Sequence, residues 1–87
     1  MIMTTEILSE KDLYRTADLS LAAVISLSYP IEVIDRDPKS NKAYFLFKRE
    51  QNLNELVEAY WRGELQVEPQ KYFQQLRAIK ARLYGEK

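Results

Sequence analysis

A chain of 87 residues with no cysteine is one small domain, with a modest core and neither a disulfide nor a thiolate metal site to reinforce it. Its 13 basic and 13 acidic side chains cancel, which excludes bulk charge as the sole basis for nucleic-acid binding. A hydrophobic share of 46% excludes wholesale disorder.

The absence of histidine, of a Gly-rich phosphate loop and of any metal-ligand cluster leaves no catalytic set legible. The expectation is therefore a non-enzymatic protein without cofactor or metal. No run approaches the roughly 18 apolar residues of a spanning helix, and "MIMTTEILSEKD" has early acids and no apolar signal core. Together with the lack of cysteine this gives the expectation of a soluble, cytoplasmic protein without membrane contact. The charges are uneven along the chain: residues 1–41 hold four basic and seven acidic side chains, and residues 42–87 nine and six. That asymmetry permits a basic patch or head-to-tail association, set against the plainer reading of mixed solvated faces.

Residues 1–12 read as a loosely docked arm, with Ile7 and Leu8 able to dock or to add a strand, and residues 13–87 as a single α+β domain. In "YRTADLSLAAVISLSYP" Thr16 stands as N-cap, Asp18 sits in the first turn and Pro30 ends the segment, which predicts a helix of about eleven residues. Its apolar residues run nearly all round, the mark of burial on several sides, and Ala22 and Ala23 allow close approach of a sheet. "IEVID" and "KAYFLFKR", separated by "RDPKSN", predict a β-hairpin. On its second strand Phe45 and Phe47 share one face, and Tyr44, Leu46 and Lys48 the other. Both faces then need cover, from helices, from the arm as a third strand or from another chain.

"QNLNELVEAYWRG" places Asn52 as N-cap with Glu55 three residues on, and Gly63 at a C-terminal cap. Leu53, Leu56, Val57 and Tyr60 would face the core and Trp61 its flank. Pro69 opens a last helix whose apolar stripe is Tyr72, Phe73, Leu76, Ile79, Leu83 and Tyr84. The predicted order is helix, hairpin, helix, helix. The combination of Tyr14, Thr16, Asp18 and Leu19 with Ala59, Tyr60 and Trp61, then Val67, Pro69 and Phe73, resembles a small prokaryotic domain family of unknown function. The resemblance spans Tyr14 to Tyr84 and implies short bacterial, archaeal and mobile-element proteins with no established activity.

Three groups of residues invite a functional reading. Trp61 and Arg62 pair a flat ring with a cation, while Tyr60, Tyr72 and Phe73 fit the core by period. Lys71, Arg77, Lys80 and Arg82 lie along the last helix, with Lys80 among apolar neighbours where it must snorkel, pair or meet a partner. Tyr14, Arg15, Thr16 and Asp18 fit capping before catalysis. The function expected is a binding or accessory module associated with nucleic acid in a mobile-element setting, with the site at Trp61, Arg62, Lys71, Arg77, Lys80 and Arg82. The alternative is a protein-interaction or homo-oligomerisation module.

Overall fold

The computed structural model describes residues 12–85, so of the reading of residues 1–12 as an arm, with Ile7 and Leu8 able to dock or to add a strand, all but Asp12 lies outside the described residues. The element order is β1 (Leu13–Thr16), α1 (Leu19–Ser26), β2 (Ile31–Arg36), β3 (Ala43–Lys48), α2 (Leu53–Arg62) and α3 (Pro69–Gly85). The described residues form a small α+β fold of three helices and a three-stranded antiparallel sheet ordered β1-β3-β2.

This corrects the predicted order, because a strand precedes the first helix. Residues 13–16 are too few to show a period, and their partner is far along the chain: Tyr14 pairs with Phe47 and Thr16 with Phe45. The third strand therefore comes from the segment read as the approach to a helix. Asp18, not Thr16, is the N-cap, its carboxylate accepting the Leu21 N–H at 3.1 Å, while the Thr16 hydroxyl accepts the Asp18 N–H at 3.1 Å. With the cap two residues later, α1 has 8 residues.

The hairpin matches its prediction. Asp37 organises the turn, its carboxylate accepting the Lys39 N–H at 3.0 Å and the Ser40 hydroxyl at 3.1 Å. Asn41 takes a φ of 60°, a left-handed conformation that Asn tolerates better than most side chains. A bulge between Ile31 and Val33 restores the alternation of β2, so that Ile31 pairs with Phe47 and Ile34 with Phe45.

Phe45 and Phe47 are buried under α1, whose Leu21, Ala22, Ala23 and Ile25 are fully covered, and the cluster is completed by Leu53 of α2 and Ile79 of α3. All three helices thus contribute to one cluster on one face. On the opposite face lie Tyr44 and Leu46, half-buried, with Arg15, Val33, Asp35 and Lys48 exposed around them. Two polar links tie the layers: the Ser26 hydroxyl reaches Gln75 Oε1 at 3.1 Å, and the Arg36 guanidinium donates to the Leu83 carbonyl at 2.7 Å.

The caps and the turn can each be tested. Replacing Thr16 and Asp18 by alanine lowers stability by about 1 kcal/mol, measured by denaturant unfolding, and an unchanged midpoint would remove capping as their role. The Asp37 carboxyl is held below its ordinary value of 3.8, chiefly by the Lys39 N–H and then by the Ser40 hydroxyl. A depressed pKa gives stability that is present above the ordinary value and lost as pH falls through the lowered one. Acid titration of melting temperature should show a shallower fall for Asp37→Asn than for the natural chain, and equal slopes would contradict this origin.

Candidate functional site

The corner between α2 and α3 is set by backbone. Gly63 ends α2 with a φ of 73°, its N–H meeting the Ala59 and Tyr60 carbonyls, and the Glu64 N–H bonds to Ala59 at 3.0 Å. These bonds satisfy carbonyls that a helix end would leave unpaired. Asn52 does precede α2, but its side chain makes no cap bond; the Leu53 N–H bonds instead to the Glu50 carbonyl at 3.1 Å. At the start of α3 the cap comes from Glu68, whose carboxylate accepts the Lys71 N–H at 2.8 Å.

Between the two helices Leu65 and the more exposed Val67 line a cleft of about 340 Å³ with Ser20, Val24, Tyr60, Gly63 and Tyr72. The alternate residues Glu64, Gln66 and Glu68 are exposed. Burial pushes the Tyr60 phenol above its ordinary value, the Asp18 carboxylate adds to the rise, and a hydrogen bond with Ser20 opposes it. The cleft therefore joins apolar walls to hydroxyl groups under an acidic rim.

Trp61 is 63% exposed and stands edge-on to Tyr60 at 5.0 Å between ring centroids. It is a surface residue. Arg62 is not free for a ligand in the same way: it is paired with Glu64 at 3.0 Å and with Glu58 at 3.7 Å. Both pairs are exposed, which makes them weak.

Along α3 the apolar stripe is narrower than the sequence suggests. Tyr72, Leu76, Ile79 and Leu83 pack on the core, whereas Phe73 is 52% and Tyr84 71% exposed. Phe73, Arg77, Lys80 and Tyr84 follow at intervals of four, three and four residues, which puts them on one side of the helix. Lys80 is thus exposed on a flank that is itself solvated, and needs neither snorkelling nor a carboxylate. Lys71 and Arg82, eleven residues apart, lie on another side. The six predicted site residues consequently separate: Trp61 and Arg62 at the acidic corner, Arg77 and Lys80 with two rings on one flank, Lys71 and Arg82 on the other. Nothing in α3 opposes its cations, since residues 69–85 contain four basic side chains and no acid.

A further surface is the sheet face opposite the helices, the second hairpin face that the sequence marks as needing cover. The Arg15 guanidinium lies 3.7 Å from the centroid of the Tyr44 ring and the Lys42 ammonium 5.9 Å from it. Alternation of Lys42, Tyr44, Leu46 and Lys48 was the available signal; the contribution of Arg15 was hidden with β1. On the core side of the same strand Tyr14, opposite Phe47, is half-buried, which raises its phenol pKa against the opposing effect of Arg49. The predicted group of Tyr14, Arg15, Thr16 and Asp18 is therefore divided among sheet pairing, ring stacking and capping. Among the described residues no cluster of three or more histidine, cysteine or acidic side chains is placed to hold a metal ion, and no helix is long and apolar enough to cross a membrane.

Residues 11–85 match the family model described as Domain of unknown function (DUF5659). Comparison with curated proteins and with solved structures gives no match.

The corner depends on a backbone conformation rather than on space. A Cβ at Gly63 would meet nothing within 4 Å, yet its φ of 73° is one that L side chains rarely adopt. Gly63→Ala should cost about 1 to 2 kcal/mol in denaturant unfolding and Gly63→Asn less, because Asn visits this region more readily. Equal losses for the two variants would point to a packing cause instead.

Proposed function

We propose that this chain, which belongs to that family of unassigned function, is a non-enzymatic binding module that takes single-stranded nucleic acid along α3. The observation that carries the reading is the acid-free solvent side of that helix, where Arg77 and Lys80 lie between the exposed rings of Phe73 and Tyr84. Single-strand binders combine cations that follow the phosphates with rings on which bases stack. Among the described residues none of the α3 cations is engaged in an ion pair, so each can meet a phosphate without first breaking a bond. Lys71 and Arg82 widen the positive surface. Trp61 and Arg62 stand apart from it, because the glutamates around them repel a polyanion. The prokaryotic and mobile-element setting implied by the sequence resemblance belongs to this proposal as well.

Anisotropy of a labelled single-stranded oligonucleotide pool, measured across a salt series, tests the reading. Affinity should fall steadily with salt, and Arg77→Gln with Lys80→Gln should flatten the slope by about 0.7 for each phosphate that is no longer neutralised. Phe73→Ala or Tyr84→Ala should remove about 1 to 3 kcal/mol for each stacked base while leaving the slope in place. Binding that is absent at low salt, or indifferent to all four residues, would end the proposal.

A further inference from the structure

Two regions of the domain carry opposite charge, and each also exposes apolar side chains. Residues 50–68, covering α2 and the corner, hold five glutamates and one arginine, while residues 69–85 hold four cations and no acid. Within one chain these charges do not meet. Among the described residues Arg62 pairs with Glu58 and Glu64, and no cation of α3 joins them.

On the acidic side, Trp61 is largely exposed and Val67 partly so, beside the cleft lined by Tyr60, Leu65 and Tyr72. On the basic side, Phe73, Arg77, Lys80 and Tyr84 keep the four-three-four spacing along which one helix meets another. Pairing like with like is disfavoured on both. Two α3 flanks related by a twofold axis would bring Arg77 and Lys80 against their own copies, and two corners would oppose glutamate to glutamate.

The complementary arrangement joins the two different surfaces. We infer that α3 of one copy docks on the α2–α3 corner of a second copy, with its rings against Trp61 and the cleft and its cations facing Glu58, Glu64 and Glu68. The occupant is a second copy because the chain itself supplies a surface of matching sign, with rings set among the charges on both sides. Such an interface is heterologous, so every copy keeps one free surface, and association continues into a ring or an open chain. The inference goes beyond the nucleic-acid reading and does not rest on it. A polyanion would, however, compete with the neighbouring corner for Arg77 and Lys80.

Two charge-reversal variants of the full chain test this without nucleic acid. One, Arg77→Glu with Lys80→Glu, disables the basic surface; the other, Glu58→Lys with Glu64→Lys, disables the acidic one. In sedimentation velocity at low salt, the natural chain should grow in mass with concentration and shrink as salt is added. Each variant alone should be a monomer, and an equimolar mixture should associate again in alternating copies, because the natural α3 of one meets the natural corner of the other and the two reversed surfaces are likewise opposite in sign. Tyr84→Ala, an exposed and hence fold-tolerant change, should weaken association of the natural chain about tenfold, and circular dichroism checks that every variant is folded. A natural chain that stays monomeric at all concentrations, a dimer that both reversals retain, or a mixture that does not associate would each overturn the inference. Assembly without oligonucleotide affinity would overturn only the nucleic-acid reading, whereas oligonucleotide affinity in a strict monomer would overturn only this one.

Discussion

The structure depends on β3 serving two purposes at once. It is the central strand, pairing with both β1 and β2, and it supplies the two largest fully buried side chains, Phe45 and Phe47. Burying two such rings is worth several kcal/mol in a domain this small, and it requires a helix lying close against the sheet. Helix α1 supplies that cover, with Leu21, Ala22, Ala23 and Ile25 all fully buried in the same cluster. Leu53 and Ile79 then close the cluster from α2 and α3. The helix flanks and the corner between them all take their positions from this one packing arrangement.

The same arrangement explains why the polar chemistry sits outside. No polar or charged residue is buried among the described residues, and none of their buried polar side-chain atoms lacks a partner. The core thus specifies shape, and charge is left to the helix flanks and the corner. Because α2 and α3 both pack on α1, the turn at Gly63 decides where the acidic stretch ends and the basic helix begins. A backbone conformation of one residue therefore fixes the relative placement of opposite charges.

How far these features were legible in the sequence depended on the range over which their cause acts. The hairpin was readable because its turn is made locally, by turn-forming residues such as Ser40 and Asn41 together with the Asp37 carboxylate, and α2 and α3 because period and Gly63 and Pro69 mark them. Strand β1 was not, since Leu13–Thr16 acquires its conformation from pairing with residues more than 25 positions away, and Thr16 next to Asp18 imitates a cap. On α3 the apolar band included Phe73 and Tyr84, but periodicity gives only the direction in which a side chain points. Which flank a neighbour covers is a tertiary fact. The two cations at Arg77 and Lys80, spaced in register with those rings, were the local hint that this flank meets water. Trp61, read on the flank of its helix, is exposed and lies on the surface.

That exposure has a practical optical meaning. The chain has one tryptophan, and Trp61 emits from an already hydrated position with a tyrosine ring 5.0 Å away to feed it energy. Its spectrum would change little when the core comes apart, so emission is a poor thermometer for this domain. The same indole, edge-on to the Tyr60 ring that lines the corner cleft, would shift to shorter wavelength and resist acrylamide quenching whenever another molecule covers it. The natural sequence thus contains a proximity sensor that needs no dye.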